Sequence, residues 1–381
     1  MRSTTLLSVL ALSATQAIAR PAYYQTPDER GLFDSPGVLD DVLLFDAPAF
    51  PDPNNPGNTI ANIQTYVSLR SIDLGVATAG ITELLSKAGI QVGNQLNTVQ
   101  ERIKLFGSIG LPGKKVEVVV PGCSTSGKLP STSAKDLGLA SGPVSLGTCV
   151  GAQEMVATVV PGVFDERRFN ASVFPSPNSG FGIISDIDDT IKVSNVLDTA
   201  SLLKSTFLDE PKPVSGMPQL YSSLRTSLQN PQFIYLTGSP YQFYPFLNNF
   251  IDSTYPKGPI FTQNLTILNI PAAIEFISGS NGGTFTHKTN TIDRLKTMYP
   301  QKKWLAIGDS TQKDPEVYAS AFKKFPGFIS CIWIRRVDNA DNTDARFKTA
   351  FADVPADKVK IFTDSEIPSL ATVDVAGGRC K

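Results

Sequence analysis

Acidic and hydroxyl side chains follow three apolar runs of the sequence, in groups that suit chemistry on a phosphate. These groups are Asp186-Ile-Asp-Asp-Thr190, Thr237-Gly-Ser-Pro240 and Gly308-Asp-Ser310. Asp186 and Asp188, together with the distant Asp309, would make an oxygen-rich site for Mg²⁺, which is a hard cation. The hydroxyl groups would donate hydrogen bonds to phosphoryl oxygens. The pattern therefore predicts a site that handles a phosphoryl group with the help of a metal ion.

A lysine and a further acidic group accompany these three. His287-Lys288 stands at the start of a segment with helical spacing, and Asp314-Pro315 has the form of a helix start. Lys288 would supply positive charge to a phosphoryl group, or it could be a surface lysine of an amphipathic helix. Asp314 could equally be a plain N-cap. Ser239-Pro240 also has the form of a helix start, with its hydroxyl at the positive end of the helix dipole.

A parallel sheet would bring these groups together. Four strand-like apolar runs occur in the second half of the chain, namely Phe181 to Ser185, Phe233 to Leu236, Trp304 to Ile307 and Phe328 to Ile334. Helix-like segments lie between them, namely Met217 to Leu228, Phe243 to Ile251 and Thr291 to Met298. This alternation predicts an α/β fold with a parallel sheet covered on both faces. Ligands of such sheets bind at the carboxyl ends of the strands, which is where the polar groups stand.

The region before this α/β domain has a different character. Residues 57–177 read as a β-rich N-terminal domain with one or two helices, and residues 178–381 as the α/β domain. The expected elements of the N-terminal domain are a helix across Val92 to Phe106 and strands across Lys115 to Val120, Val144 to Val150 and Glu154 to Val160. Residues 20–56 are rich in Pro, Asp, Asn and Gly, which predicts an extended or loosely ordered lead-in.

The N-terminus has the form of an export signal. Arg2 precedes an apolar run from Leu6 to Leu12, and Ala17-Ile18-Ala19 fits a small-residue cleavage site, so residues 1–19 read as a signal peptide. The run is too short to span a bilayer, and no later stretch offers about 20 uninterrupted apolar residues. We expect a secreted protein.

Cysteine usage and two glycosylation triplets agree with export. The chain has four cysteines, which in an oxidising compartment predict two disulfides with three possible connectivities. The pairing of Cys123 with Cys149 and of Cys331 with Cys380 keeps each bridge within one expected domain, although buried free thiols remain an alternative. Asn170-Ala-Ser and Asn264-Leu-Thr have the form of glycosylation acceptors, as a glycoprotein would carry.

Composition and missing motifs exclude several other classes. The formal net charge is -1, so the basic excess typical of a nucleic-acid binder is absent. His287 is the only histidine, and no Gly-x-Ser-x-Gly sequence offers a serine nucleophile. His287 is therefore expected to be a neighbour of the site or a structural residue. The cysteines lack the spacing of a metal site.

The motif words resemble the haloacid dehalogenase superfamily of phosphatases, and more narrowly the actin-patch type of phosphatidate phosphatase. The words are Ser185-Asp-Ile-Asp-Asp-Thr-Ile-Lys192, Tyr235-Leu-Thr-Gly-Ser-Pro240, His287-Lys288, and Ile307-Gly-Asp-Ser310 through Asp314-Pro-Glu316. Ile334-Arg335 at a strand end also fits. The resemblance covers Phe181 to about Thr363 and implies a Rossmann-like parallel sheet of the haloacid dehalogenase type.

The resemblance also implies roles for individual residues. Asp186 would be the nucleophile that forms an aspartyl-phosphate, and Asp188 would be the general acid and base. Mg²⁺ would be held by Asp186, the backbone carbonyl of Asp188, and Asp309, with Asp314 as an outer ligand or a partner of Lys288. The remaining candidates would contact the phosphoryl group: Thr190, Thr237, Gly238, Ser239, Lys288 and Arg335.

Alternative roles remain open for four of the surrounding residues. Arg335 could bind phosphate or pair with acids at its strand end. Asp189 is expected to face solvent or to cap a backbone segment. An ordinary core face is predicted for Phe243, Phe246, Leu247, Phe250 and Ile251, whereas Tyr241 and Tyr244 fall off that face and could line the site.

Three functions remain open at this point. The first is a lipid phosphatase that acts on phosphatidic acid at an interface, with possible peripheral membrane contact. The second is a secreted phosphatase of the same mechanism for soluble phosphomonoesters. The third is a secreted binding module without turnover, which would have no need of the complete set of polar groups.

Overall fold

The computed structural model describes residues 34–70, 73–150, 154–162, 165–264 and 283–381. The predicted signal peptide, residues 1–19, lies outside the described residues. So do the last two positions of the second glycosylation triplet, residues 265 and 266. None of the described helices is both long enough and apolar enough to cross a membrane.

An eight-stranded sheet occupies the N-terminal region of the described residues. Its strands are β1 Asp40–Leu44, β2 Ala47–Pro51, β3 Thr59–Leu69, β4 Glu117–Val119, β5 Gly127–Lys128, β6 Leu139–Gly147, β7 Met155–Val160 and β8 Phe169–Pro175. Their order is β1-β3-β2-β8-β7-β4-β5, and β6 also pairs with β3. Strands β2 and β8 are parallel, and the other pairs are antiparallel. The β-rich prediction is confirmed for this region.

The folded region begins earlier than the sequence predicted. Strands β1 and β2 lie within residues 20–56, so the expectation of a loosely ordered lead-in is wrong from Asp40 onward. These two strands are ordered because they bury apolar side chains, namely Val42, Leu44 and Phe50. A count of Pro, Asp and Asn across the whole segment conceals these short apolar strands.

Two helices and a disulfide complete the N-terminal region. Helix α1 spans Gly75–Lys87 and helix α2 spans Leu96–Ile103, so the predicted helix is present but shorter than expected. Val99 and Ile103 of α2 are fully buried. Cys123 and Cys149 form a disulfide, as predicted.

The second half of the chain folds around a six-stranded parallel sheet. Its strands are β9 Phe181–Ser185, β10 Gln232–Pro240, β11 Ile260–Gln263, β12 Lys303–Asp309, β13 Ile329–Arg335 and β14 Val359–Phe362. The order β11-β10-β9-β12-β13-β14 places β9 between β10 and β12. The chain moves to one side of β9 and then returns to the other, so the carboxyl end of β9 lies at a topological switch point. The predicted parallel α/β sheet is confirmed.

Helices cover both faces of this sheet. They are α3 Thr199–Phe207, α4 Met217–Ser227, α5 Tyr244–Thr254, α6 Gly283–Met298, α7 Asp314–Lys324, α8 Asp344–Ala350 and α9 Ile367–Leu370, with a 3₁₀ turn at Tyr241–Phe243 before α5. Successive strand residues alternate between two cores. Ile183 packs with the α4 and α5 side, and Ile184 packs with α6 and α7. A disulfide joins Cys331 of β13 to Cys380, which confirms the second predicted pairing.

The N-terminal region and the α/β region share one hydrophobic core. Phe45 packs against Tyr241 and Tyr244, with ring centroids 6.4 and 4.5 Å apart. Phe106 packs edge-on against Phe243 at 4.9 Å. Tyr241 and Tyr244 therefore belong to this shared core. Of the five residues predicted to form a core face, Phe243, Leu247, Phe250 and Ile251 are buried and Phe246 is half-buried.

Candidate active site

Lys288 connects two buried carboxylates at the carboxyl edge of the parallel sheet. Its ammonium lies 2.7 Å from Asp186 Oδ1 and 2.5 Å from Asp314 Oδ1. Lys288 sits in the second turn of α6 instead of at a helix start, and the three side chains are 1% exposed or less. Burial alone would lower the pKa of Lys288, but the two carboxylates raise it above its usual value.

Asp309 brings a third carboxylate to this cluster. Ligand atoms of Asp186, Asp309 and Asp314 all lie within 4.8 Å of one another. Asp309 is held by the Thr190 hydroxyl at 3.1 Å and by the backbone N–H of Thr311 at 2.5 Å. Burial and the neighbouring Asp314 raise the pKa of Asp309 to about 7. Thr190 thus holds a carboxylate in place, whereas the sequence predicted it to contact substrate.

The nucleophile candidate Asp186 has an unused oxygen. Its Oδ2 is buried and accepts no hydrogen bond from any described residue. Burial raises the pKa of Asp186 well above its ordinary value, and Asp314 and Asp309 oppose the lowering effect of Lys288. A buried carboxylate oxygen without a donor is costly unless a cation or another group satisfies it.

A glycine lets Asp314 reach the cluster. A Cβ at Gly308 would lie 2.6 Å from both Cβ and Oδ2 of Asp314, well inside contact distance. Asp314 is the first residue of α7, and its Oδ2 accepts from the backbone N–H of Asp309 at 3.3 Å. Gly308 is therefore part of the site because any side chain there would displace a carboxylate.

Asp188 has its own set of partners, separate from those of Asp186. Its Oδ2 accepts from the Thr237 hydroxyl at 2.9 Å and the Ser239 hydroxyl at 3.0 Å. Its Oδ1 accepts from the Ser194 hydroxyl at 2.6 Å, and Lys192 Nζ lies 3.4 Å away. Burial would raise the pKa of Asp188, but Lys192 and the three hydroxyl groups hold it below its usual value. The carboxylate form is therefore stabilised in this arrangement.

Asp189 is buried and caps a loop. It adopts φ 59°, in the left-handed region that Asp tolerates better than most residues. Its carboxylate accepts from the backbone N–H groups of Ser194, Asn195 and Val196 at 2.9, 2.8 and 2.7 Å. The capping prediction is confirmed, and the solvent-facing alternative is wrong because these three N–H groups draw the side chain inward.

Arg335 has partners other than a ligand. Its guanidinium makes a two-pronged contact with Asp364, at 2.7 and 2.8 Å, and donates to the backbone carbonyl of Asp189 at 2.6 Å. The structure thus favours the second of the two predicted roles, pairing with an acid at the strand end. Its contact with Asp189 fixes the loop that carries Asp188.

His287 and the loop after β10 also differ from expectation. His287 Nε2 lies 3.4 Å from the carbonyl of Phe261, and burial lowers the pKa of His287 to about 4. It is therefore a neutral, packed side chain. Ser239-Pro240 ends strand β10 and precedes the 3₁₀ turn, so it does not open an α-helix directly. A Cβ at Gly238 would lie 2.8 Å from the side chain of Thr284, so α6 approaches this loop closely.

The structure therefore gathers the polar candidates at one edge. Asp186, Lys288, Asp309 and Asp314 form one cluster, and Asp188, Thr237 and Ser239 form an adjoining one. Sequence reasoning gave no role to Lys192, Ser194, Thr311 or Gly308. The position of Lys192 at the end of the first motif could have indicated a role in the site. No sequence feature indicated a role for Ser194, because its hydroxyl reaches Asp188 through the turn at Asp189.

Comparisons with known proteins found one family model and two curated relatives that match part of the chain. Residues 181–336 match the family model described as phosphatidate phosphatase APP1, catalytic domain. Phosphatidate phosphatase APP1 of Saccharomyces cerevisiae is 31% identical over 164 residues, which is 42% of this chain and 27% of that protein. An uncharacterized protein of Schizosaccharomyces pombe is 27% identical over 168 residues, 42% of this chain and 26% of that protein.

The matches cover about a quarter of the length of each curated relative. The segment matched by the family model, residues 181–336, contains every residue of the two polar clusters and leaves the N-terminal sheet outside. The geometry and the family model thus fall on the same segment, from β9 to the end of β13. Residues 181–336 are thus similar to the catalytic domain of phosphatidate phosphatase APP1, and this is the segment that carries the two polar clusters.

Proposed function

We propose that this chain is a secreted, magnesium-dependent phosphatase that converts phosphatidate to diacylglycerol and phosphate through an aspartyl-phosphate on Asp186. The observation that carries the proposal is the buried ammonium of Lys288 between Asp186 and Asp314, with Asp309 alongside. The match to an APP1-type catalytic domain, and the printed name of the yeast relative, support phosphatidate as the substrate.

The carboxylate cluster fits a divalent cation. Three buried carboxylates face one ammonium, so the ionised cluster carries two excess negative charges. Among the described residues, Asp186 Oδ2 has no hydrogen-bond donor. Carboxylate oxygens are the ligands that Mg²⁺ prefers. Asp186, Asp309 and the backbone carbonyl of Asp188 would hold the ion, with Asp314 outside them. Bound there, Mg²⁺ would offset the repulsion between the Asp186 carboxylate and an anionic phosphate.

The first chemical step uses Asp186 and Asp188. A carboxylate oxygen of Asp186 attacks phosphorus, and the bond between phosphorus and the ester oxygen breaks. The proton on Asp188 passes to that leaving oxygen, which departs as the alcohol of diacylglycerol. Lys288 compensates negative charge that develops on the transferring group.

The second step reverses the role of Asp188. As a carboxylate it takes a proton from water, whose oxygen attacks the phosphorus of the aspartyl-phosphate. The bond between phosphorus and the Asp186 oxygen breaks, which releases inorganic phosphate and restores the free carboxylate. The hydrogen bonds that stabilise the Asp188 carboxylate suit this second step.

Substrate binding would prepare Asp188 for the first step. Thr237 and Ser239 donate to Asp188 in the free protein, and they are also the hydroxyl groups placed to donate to phosphoryl oxygens. A bound phosphate that accepts these hydrogen bonds removes them from Asp188. Burial, which raises its pKa, then has less opposition, so the carboxyl is protonated more readily when substrate is present.

The proposal extends to the setting of the enzyme. We infer a sheet of the haloacid dehalogenase type, removal of residues 1–19 on export, and glycosylation at Asn170, which is exposed on β8. The two disulfides agree with an oxidising compartment. Action on phosphatidate would require peripheral contact with a lipid surface, and no nucleic acid is involved.

The test is phosphate release from dioleoyl phosphatidate in mixed detergent micelles, with p-nitrophenyl phosphate in parallel, each with Mg²⁺ and with EDTA. We expect metal-dependent release, greater for the lipid, and no turnover by Asp186→Asn. Asp293→Asn is the matched control, because the Asp293 carboxylate pairs with Lys324 at the surface, and we expect this variant to retain activity. Release from the soluble ester alone would discard the lipid substrate. Complete inactivity on both would favour a binding module.

A further inference from the structure

A cleft separates the N-terminal region from the catalytic domain beside the shared core. Its volume is about 590 Å³, within the range of small-molecule sites. One wall is formed by Leu43 of β1, Thr98 of α2, and Leu105, which follows α2. The other wall is formed by α5, with Phe246 and Asn249. A second cavity of about 280 Å³ shares part of this lining and extends the cleft along the Tyr241–Phe243 turn.

The catalytic wall of the cleft is one side chain away from Asp188. The ring of Phe246 lies close to two cations, with the Arg102 guanidinium 4.4 Å and Lys192 Nζ 5.8 Å from its centroid. Lys192 in turn lies 3.4 Å from Asp188. The cleft therefore adjoins the side of the site where the general acid stands.

The remaining solvent exposure of the site lies on the same side. The side chains of Asp188 and Lys192 are 6% and 3% exposed, whereas those of Asp186 and Asp314 are 1% and 0% exposed. A substrate must reach Asp186 with its ester oxygen towards Asp188, because Asp188 protonates that oxygen. The part of the substrate beyond that oxygen then points towards the cleft.

The lining suits an uncharged group with polar and apolar parts. Apolar side chains such as Leu43, Leu105 and Phe246 alternate with hydroxyl and amide groups of Thr98 and Asn249. The lining has two cationic side chains and three acidic ones. The cleft therefore has no excess of positive charge that would attract a second anionic group. A glycerol diester with its first acyl carbons has this character.

We propose that this cleft is the leaving-group subsite, which binds the diacylglycerol part of a lipid phosphomonoester between the N-terminal region and α5. The inference rests on the proposed function, and it gives the N-terminal region a role in distinguishing lipid from soluble phosphate esters. A soluble ester with a small leaving group reaches Asp186 and Asp188 without using the cleft.

The test blocks the cleft from each wall. Asn249→Trp fills it from α5 and Thr98→Trp from α2, and both positions are at least partly exposed, so an indole is accommodated without displacing the core. We expect kcat/KM for dioctanoyl phosphatidate to fall about tenfold or more, the factor that a weakened contact of one apolar side chain produces. Hydrolysis of p-nitrophenyl phosphate should stay close to that of the unaltered chain.

Asn97→Trp is the matched control, because Asn97 is an exposed residue of α2 outside the cleft lining. It should leave both activities unchanged. A second readout is inhibition by dioctanoylglycerol, the product expected to occupy the cleft. It should inhibit p-nitrophenyl phosphate hydrolysis by the unaltered chain and by Asn97→Trp, and lose that effect in Asn249→Trp.

The outcomes separate this inference from the proposed function. Lipid hydrolysis by the unaltered chain that Asn249→Trp and Thr98→Trp leave intact would overturn the subsite and keep the phosphatase. An equal fall for both substrates in these variants would also overturn it, since a general disturbance of the site would then explain the loss. An unaltered chain that hydrolyses only the soluble ester would overturn both the lipid substrate and its subsite.

Discussion

Lys288→Met is the most informative single change in the buried cluster. The ammonium lies 2.7 and 2.5 Å from two carboxylates, and all three side chains are 1% exposed or less. Methionine keeps the length and burial of the lysine side chain but removes the charge. Asp186 and Asp314 would then be buried close together without a compensating cation.

The magnitude follows from the cost of leaving buried charges unpaired. Removing one member of a buried ion pair typically costs about 3–5 kcal/mol. A domain of ordinary stability has about 5–15 kcal/mol in total, so the variant should remain folded but be much less stable. Turnover should be abolished, since the same ammonium compensates charge on the transferring phosphoryl group.

Lys302→Met is the matched control. Lys302 is 2% exposed, and its ammonium donates to two neutral oxygens of the described residues, Ser176 Oγ and the carbonyl of Ser179, both at 3.0 Å. Burial lowers the pKa of Lys302 to about 8, so the ammonium is still mostly charged at pH 7 but is less stable in the folded state than in the unfolded chain. We expect Lys302→Met to cost less than about 1 kcal/mol or to stabilise the chain, with activity retained.

The assay is urea unfolding at pH 7 with EDTA and intact disulfides, followed by phosphate release with Mg²⁺. EDTA removes metal that would bind the free carboxylates and mask the effect. If Lys288→Met were no less stable than Lys302→Met, the ion pairs would not compensate the buried carboxylates, and the electrostatic reasoning for the site would fail.

Three further changes test separate parts of the structure. Gly308→Ala should lower kcat/KM at least about tenfold, because the added Cβ displaces Asp314, whereas Gly80→Ala, with open space around it, should have no effect. Asp188→Asn should slow alkyl phosphate hydrolysis far more than that of p-nitrophenyl phosphate, whose leaving group needs no general acid. Asp46→Asn should leave stability at pH 4 nearly unchanged and increase it by up to about 3 kcal/mol at pH 7. Burial raises the pKa of Asp46 to about 6, above its unfolded value, so the folded state of the unaltered chain loses stability as pH rises through this window.

The measurements for these changes are steady-state kinetics for the first two and urea unfolding at pH 4 and 7 for the third. Full activity of Gly308→Ala would show that Asp314 has room to move. Equal losses of Asp188→Asn on both substrates would remove its role as general acid. A pH-independent difference between Asp46→Asn and the unaltered chain would contradict the raised pKa.

The parallel sheet and most of the carboxylate cluster could be predicted from the sequence because they depend on local signals. A buried parallel strand is a continuous apolar run, so β9 was placed at its observed bounds. The polar residues that follow each parallel strand lie at the carboxyl edge of the sheet, whatever the order of the strands. The convergence of Asp186 and Asp309 therefore needed only the strand assignment and the order of the motifs.

The partners of Asp188 could not be predicted because they depend on the conformation of a single loop. Asp189 takes a left-handed φ of 59°, and its carboxylate gathers the backbone that follows. Only this turn brings Ser194 and Lys192 back to Asp188. The role of Gly308 is likewise hidden, since it is the absence of a side chain next to Asp314 that matters. Spacing in the sequence carries no information on either point.

The aromatic contacts between the N-terminal region and the catalytic domain bear on how such proteins can be divided. Phe45 and Phe106 supply rings that bury Tyr241, Phe243 and Tyr244, which belong to the matched segment. A fragment that begins at residue 178 would expose this surface to water and is expected to aggregate. The segment defined by its relatives is thus smaller than the unit that folds. Any relative that keeps the catalytic segment but lacks this N-terminal sheet must cover the same aromatic face with other sequence of its own.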